Sequence, residues 1–172
     1  MPSNLAEFAA DYAYPKIEVQ KKDRALARLM LSNIGDDDSE ASSVALYLYG
    51  SVVTATTDPE ISKAFRDVLA VERTHLEVFC NLAYRFGADP RLWRPVQQSV
   101  GGEKMVYWSP SRLHYATEVQ TILENAIALE RAQIKKYEKE IAAISEDSLI
   151  LLLRRIILDE QMHIEMFRGL LK

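Results

Sequence analysis

The sequence predicts an all-α fold: an antiparallel four-helix bundle with a long connection between its second and third helices. Three observations lead to this prediction. Four stretches carry apolar side chains at three- and four-residue spacing, which is the period of an amphipathic helix. Strand-like alternation of apolar and polar residues is almost absent. The glycines and prolines, six of each in 172 residues, fall mostly between these stretches.

We predict that the chain divides into an N-terminal arm, residues 1–34, and a helical bundle, residues 35–172. The arm can hold a short helix over 20–33. The first bundle helix is predicted over 36–55, because Gly35 and three consecutive aspartates precede an apolar stretch. Aspartate side chains favour a helix N-terminus, where they cap backbone N–H groups and meet the positive end of the helix dipole.

The second bundle helix is predicted over 59–86. Thr57 and Glu60 have the spacing of a capping box, and Pro59 suits the first helical turn. Gly87 follows the last apolar position and is a favourable residue for ending a helix.

A long connection over 87–110, rich in glycine and proline, separates the two halves of the bundle. Loops of this length in compact domains usually have a function, and such a connection can carry the chain from one end of a bundle to the other. Ser109 and Pro110 begin a third helix that is predicted to reach Ile144. Ser145 then caps a fourth helix that runs to the C-terminus.

The composition limits the classes of function. A chain with 48% hydrophobic and 27% charged residues is typical of folded globular proteins, and its net charge of −4 argues against a nucleic-acid-binding surface. The single cysteine, Cys80, excludes an internal disulfide, a CxxC redox pair and a four-thiolate iron centre. The uncharged run over 41–57 is at the short limit for a membrane span and contains Ser, Gly and Thr, so no membrane partner is expected. The N-terminus lacks the pattern of a signal peptide, from which we expect a cytoplasmic protein.

The second and fourth helices carry the same polar interruption in an apolar face. Glu72 and His75 interrupt the face of the second helix, and Glu160 and His163 interrupt that of the fourth. The local sequences, E-R-T-H-L-E-V-F and E-Q-M-H-I-E-M-F, resemble each other as well. In both helices, therefore, a Glu-x-x-His pair is predicted to face the centre of the bundle.

The first and third helices add one inward glutamate each. Glu40 is followed seven residues later by Tyr47, and Glu130 is followed at the same spacing by Tyr137. The first half of the bundle therefore matches the second half, which indicates an internal duplication of a helical hairpin.

Four carboxylates and two imidazoles would thus face one bundle centre, and no Lys or Arg lies on these faces to neutralise them. Burying unpartnered carboxylates is very unfavourable, and two divalent or trivalent cations would compensate for it. Oxygen-rich sites with one histidine per metal suit iron or manganese better than a structural zinc site. We predict two metal ions per chain, iron or manganese, and the following ligands: Glu40, Glu72, His75, Glu130, Glu160 and His163.

Other residues near this pattern leave alternatives open. Glu124 is the second choice for the ligand on the third helix, but it lies off the apolar face that Glu130 shares. Tyr47 and Tyr137 fit simple core packing as well as hydrogen bonds to the ligands. Asp159, which precedes Glu160, could orient the histidine of the opposite pair.

Three further positions bear on the same question. The residue that matches Asp159 in the other half is Val71, so any orienting role of Asp159 belongs to one half only. His114 has no partner at ligand spacing and is predicted to lie on the surface or in a loop. Cys80 lies off the inward face and is predicted to be a small apolar residue in the packing, not a nucleophile.

Ferritin-like di-iron and di-manganese bundles have a known ligand pattern: two helices each supply one glutamate, and the other two each supply a Glu-x-x-His pair. Through Glu40, E-R-T-H at 72–75, Glu130 and D-E-Q-M-H at 159–163, the sequence resembles the ferritin-like superfamily, and within it the rubrerythrin-like branch. The resemblance covers about 35–172. It implies a four-helix bundle with a dinuclear centre that reacts with dioxygen or peroxide.

The stretch Y-P-K-I-E-V at 14–19 also resembles small single-domain ferritin-like proteins of bacteria. Two features depart from full rubrerythrins. Those proteins carry a rubredoxin-like module that relays electrons, and this sequence contains none, so a peroxidase would need an external electron donor. Some rubrerythrin-type sites add a carboxylate one turn further along the third helix, where this sequence has Gln133 and Ile134.

The expected function is that of a dinuclear iron or manganese oxidoreductase acting on hydrogen peroxide or dioxygen, of the peroxidase or catalase type. Catalase chemistry would need no electron donor. Two alternatives stay open: a ferroxidase or iron-handling ferritin-like protein, and a structural coat-type protein that retains the metal bundle for stability. The uncharged run over 41–57, most of which lies in the first helix, suggests additional burial against a second subunit, and hence a homodimer.

Overall fold

A computed structural model of the chain describes residues 9–91 and 108–171. Within these ranges the chain forms five α-helices, one short 3-10 helix and no strand, which confirms the all-α prediction. The α-helices are α1 (Arg24–Gly35), α2 (Glu40–Val53), α3 (Pro59–Phe86), α4 (Val119–Ala143) and α5 (Asp147–Leu170).

Helices α2 to α5 form the four-helix bundle, and α1 packs mainly along α3. Short turns join α2 to α3 and α4 to α5, so each pair is an antiparallel hairpin whose helices pack against each other. The hairpins meet through α2 with α4 and through α3 with α5. The predicted long connection over 87–110 lies largely outside the described residues.

The boundaries of α3 agree with the prediction. Pro59 occupies its first turn, and Gly87 ends it with a left-handed backbone (φ 102°) from which its N–H bonds to the carbonyl of Tyr84. A side chain at Gly87 would be strained by this φ and would approach Lys22 as well.

The predicted start of the third bundle helix is wrong. The third bundle helix does not begin at Pro110: a 3-10 helix (Pro110–Arg112) ends in extended backbone at Leu113, and α4 begins only at Val119. The reason is a competing cap, because the side chain of Glu118 accepts hydrogen bonds from the N–H groups of Gln120 and Thr121.

The first bundle helix is also shorter than predicted. Its expected range of 36–55 reduces to Glu40–Val53, because Ser39 and Thr54 take the cap positions. The short helix expected over 20–33 corresponds to α1, which Asp23 caps by accepting from the N–H groups of Ala25 and Leu26. The division into an arm over 1–34 and a bundle over 35–172 remains a prediction.

The apolar core forms two clusters separated by the polar middle of the bundle. On α3, Phe65 belongs to one cluster and Phe79 to the other, with Glu72 and His75 between them. On α5, Leu153 and Phe167 bracket the second Glu-x-x-His pair in the same way. The bundle therefore encloses its polar residues between two layers of apolar packing. No helix among the described residues has the length and hydropathy that a membrane crossing needs.

Candidate metal centre

The structure brings the six predicted ligand residues together at the bundle centre, and every one of them is fully buried. They form two overlapping groups, in each of which the candidate ligand atoms lie within 4.8 Å of one another. The first group contains Glu40, Glu72, His75 and Glu160, and the second contains Glu72, Glu130, Glu160 and His163. Glu72 and Glu160 belong to both groups, so the cluster consists of two half-sites that share two carboxylates.

The shared carboxylates present one oxygen to each half-site. Glu72 places Oε2 at 3.8 Å from His75 Nδ1 and Oε1 at 3.0 Å from His163 Nδ1. Glu160 places Oε1 at 3.3 Å from His75 Nδ1 and Oε2 at 3.0 Å from His163 Nδ1. This is the arrangement in which a carboxylate can bridge two cations.

The outer carboxylates each serve one half-site. Glu40 Oε2 lies 3.7 Å from His75 Nδ1, and Glu130 Oε1 lies 3.4 Å from His163 Nδ1. The i, i+3 spacing of each Glu-x-x-His pair projects both side chains from one face of its helix. The duplication found in the sequence therefore becomes an approximate two-fold arrangement of ligand atoms.

Six of the eight carboxylate oxygens of this cluster lack hydrogen-bond donors although they are buried. Both oxygens of Glu72 and of Glu160 make no hydrogen bond, and neither does Oε2 of Glu40 or Oε2 of Glu130. His75 Nδ1 lies near three carboxylates but is not aligned with any of them for a hydrogen bond. Each buried group of this kind costs about 1–3 kcal/mol, and more when it is charged, unless a cation takes its lone pair. The donor set therefore fits a pair of metal ions.

Electrostatics leads to the same conclusion. Burial, reinforced by the charge of Glu72, raises the pKa of Glu40 to about 7. Burial and the charges of Glu72 and Glu160 raise the pKa of Glu130 well above its usual range. Protein groups alone thus disfavour the ionised forms of the two outer carboxylates, and cations in the cluster would favour them.

Two tyrosines hold the outer carboxylates from behind. The Tyr137 hydroxyl donates to Glu40 Oε1, and the Tyr47 hydroxyl donates to Glu130 Oε1 at 2.5 Å. Each tyrosine comes from the other repeat, so the bonds cross between α2 and α4. Both rings also pack in the apolar core, Tyr47 against Phe65 among others. The sequence left open whether these tyrosines serve core packing or hydrogen bonding, and each of them does both.

Asp159 contacts the histidine of the opposite Glu-x-x-His pair. Its Oδ2 lies 3.0 Å from His75 Nε2, on the far side of the ring from the cluster. Burial alone would raise the pKa of Asp159, but hydrogen bonds from His75, Tyr14 and Arg155 lower it to about 2. An ionised carboxylate on Nε2 holds the imidazole with Nδ1 facing the other ligands.

The sequence analysis did not identify Tyr14 and Arg155 as part of this site. The Tyr14 hydroxyl lies 2.6 Å from Asp159 Oδ2 and 2.9 Å from His75 Nε2. Arg155 Nη1 donates to Asp159 Oδ1 at 2.5 Å, and its other nitrogens donate to the carbonyls of Ala10 and Tyr12. The Ala10 N–H donates to Asp159 Oδ1 at 2.7 Å. The N-terminal segment is therefore docked onto α5 beside His75.

This docking exists on one side of the duplication. The positions on α3 that match Arg155 and Asp159 are Asp67 and Val71. Asp67 pairs with Lys63 of its own helix at 2.5 Å, and Val71 is apolar. A signal for Arg155 was present in the sequence, since it lies four residues before Asp159 on α5, but nothing in the spacing linked Tyr14 to either residue.

Three other residues considered in the sequence lie away from the cluster. Glu124 is exposed and accepts a hydrogen bond from Gln120 at 2.8 Å. His114 is exposed as well. Cys80 is half-buried against the apolar core, and burial raises the pKa of its thiol, which disfavours the reactive thiolate.

Comparison with known proteins agrees with this fold. The structure resembles that of wild-type KatB, a manganese catalase from Anabaena, with a TM-score of 0.76 and 20% sequence identity over 95% of this chain and 78% of that one. A second structure, of KatB from Anabaena PCC7120, gives a TM-score of 0.76 and 21% identity over 92% and 75%. No curated protein matches the sequence significantly. The family model named Rubrerythrin matches residues 38–171, which confirms the resemblance found in the sequence: the chain belongs to the rubrerythrin family of the ferritin-like superfamily.

Proposed function

We propose that the protein is a dimetal oxidoreductase acting on hydrogen peroxide, with dioxygen as the alternative oxidant. The observation that carries this proposal is the pair of shared carboxylates, Glu72 and Glu160, each of which offers one oxygen to either half-site. The manganese catalase KatB, which has the same fold, supports peroxide as the substrate.

In this proposal Glu72 and Glu160 would help to hold both of two iron or manganese ions. His75 and Glu40 complete one half-site, and His163 and Glu130 complete the other. Metal ions held there would supply the redox chemistry, giving electrons to one peroxide molecule and taking electrons from another or from a separate reductant. Iron and manganese both suit this oxygen-rich donor set with one imidazole per metal.

The protein residues orient the ligand side chains, exclude water from the centre and keep the tyrosine hydroxyls protonated. The two apolar clusters exclude water from the centre, which strengthens every charge interaction inside it. The Tyr47 and Tyr137 hydroxyls fix the outer carboxylates, and burial beside Glu130 and Glu40 raises the pKa of each tyrosine well above its usual value. Both phenols therefore keep their protons as donors. Asp159 fixes the ring of His75.

Peroxide consumption by the metal-loaded protein tests the proposed reaction. We expect hydrogen peroxide to disappear with release of dioxygen if the enzyme is of the catalase type, or only with an added reductant if it is of the peroxidase type. The chelator-stripped protein is expected to lose the reaction and to recover it on reloading. A fully metal-loaded protein that consumes peroxide in neither assay would contradict the proposal and favour a structural role.

A homodimer, a cytoplasmic location and an external electron donor remain predictions. The apolar side chains of Leu48 and Val52 lie on one face of α2 and are 53% and 65% exposed, which favours burial against a second copy. Sedimentation equilibrium is expected to give about twice the chain mass of 19.6 kDa. Replacing both residues with Lys should return the mass to that of one chain, whereas a monomeric wild-type protein would contradict the prediction.

A further inference from the structure

Gln133 is a buried amide that the proposed metal centre does not use. The side chain is fully buried, and its Oε1 accepts a hydrogen bond from the Ser43 hydroxyl at 3.0 Å. Its Nε2, which carries two N–H donors, has no hydrogen-bond partner. An unsatisfied buried amide of this kind destabilises the fold, so an apolar side chain of similar size would be the more stable choice here.

The register between α2 and α4 places this amide level with the site along the bundle. Three side-chain hydrogen bonds join the two helices in antiparallel order: Glu40 with Tyr137, Ser43 with Gln133, and Tyr47 with Glu130. The Ser43–Gln133 pair is the central one, between the two outer carboxylates. Both histidines and both shared carboxylates come from the opposite helices, α3 and α5. The amide thus lies on the face of the centre away from the histidines.

The protein atoms on that face leave the amide nitrogen without an acceptor. Glu40 and Glu130 each use Oε1 to accept from a tyrosine and keep Oε2 for the proposed metals. The Ser43 hydroxyl donates its hydrogen to Oε1 of the same amide, and this bond fixes the orientation of the Gln133 side chain. An acceptor for Nε2 must therefore come from a bound molecule.

We infer that Gln133 Nε2 donates a hydrogen bond to the small ligand, such as peroxide or a small anion, that binds at the dimetal centre on this face. The inference rests on the proposed function. The NH2 group of a glutamine side chain is a donor and has no lone pair available to a metal. Gln133 is therefore a substrate-binding residue and not a seventh ligand. Ser43 is a positioning residue, because it acts by holding the amide.

Azide is a suitable probe, since it is a small anion with exposed lone pairs and is not consumed. The experiment loads wild-type protein and the variant Gln133→Met with metal, measures the metal content, and then titrates azide by calorimetry. We expect both proteins to hold two metals per chain and the variant to bind azide about tenfold more weakly, as the loss of one hydrogen bond to an anion predicts. Gln120→Met, at an exposed glutamine of the same helix, should bind azide as the wild type does.

Thermal unfolding of the metal-free proteins separates this role from a structural one. Because Gln133→Met removes an unsatisfied donor, its melting temperature is expected to equal or exceed that of the wild type. A melting temperature well below the wild-type value with unchanged azide affinity would show that Gln133 serves the packing of α2 on α4, and would overturn the inference.

A second variant keeps the inference testable if Gln133→Met does not fold. Ser43→Ala leaves the amide in place but unanchored, and we expect it to weaken azide binding by about threefold. If it weakens azide binding more than Gln133→Met does, or if either variant loses metal, the inference is wrong. Wild-type protein that holds less than one metal per chain would overturn the proposed function, and this inference with it.

Discussion

Replacing Glu160 with Gln is expected to remove metal from both half-sites and to lower peroxide consumption by more than roughly 100-fold. The reason is that Glu160 presents Oε1 to the His75 half-site and Oε2 to the His163 half-site. An amide carries no charge and offers one oxygen in place of two, so it cannot bridge two cations. Metal content per chain and the initial rate of peroxide loss are the two measurements.

Two other glutamate variants serve as controls for Glu160→Gln: one at an outer carboxylate and one at an exposed position away from the site. Glu40→Gln alters one half-site only, so it should retain about one metal per chain. Glu124→Gln, at an exposed glutamate of α4, should bind two metals and react as the wild type does. Equal metal loss in Glu40→Gln and Glu160→Gln would contradict the assignment of Glu160 as a bridge.

Replacing Arg155 with Met is expected to destabilise the protein by about 3–5 kcal/mol, because it leaves the buried carboxylate of Asp159 without its cation. Arg155 is 2% exposed and donates to Asp159 and to the carbonyls of Ala10 and Tyr12. Its loss also detaches the N-terminal segment from α5. Denaturant unfolding of the metal-free protein measures the change in free energy of unfolding.

The neighbouring arginine is a matched control. Arg154 occupies the preceding position of α5 but is exposed, so Arg154→Met should change the free energy of unfolding by less than about 0.5 kcal/mol. Arg155→Met should in addition weaken metal binding about 10- to 100-fold, since Asp159 then orients His75 less firmly. Equal stabilities of the two variants would show that the Arg155–Asp159 pair contributes little.

The helical bundle and the composition of its centre could be predicted because both depend on local spacing. Glu72 with His75, and Glu160 with His163, lie three residues apart on otherwise apolar faces, and this period places them inside the bundle. The internal duplication then identified Glu40 on the first bundle helix as the counterpart of Glu130 on the third. The structure brings all of these side chains into one cluster.

Contacts between distant parts of the chain could not be predicted in this way. The Tyr14–Asp159 bond joins residues 145 positions apart, and no repeat or spacing links them. The start of α4 was misplaced for a local reason: a serine–proline pair and Glu118 both suit a helix N-terminus, and only packing decides between them. The unsatisfied amide of Gln133 likewise becomes visible only when its neighbours are in place.

The most direct test of the dimetal proposal is the metal content of protein produced with both iron and manganese available, measured by mass spectrometry. The proposal predicts close to two iron or manganese atoms per chain in the wild type and far fewer in Glu160→Gln. The more abundant metal then decides whether the peroxide assays use iron or manganese. Less than one atom per wild-type chain, even after anaerobic reconstitution with either metal, would contradict a dinuclear centre at these six residues.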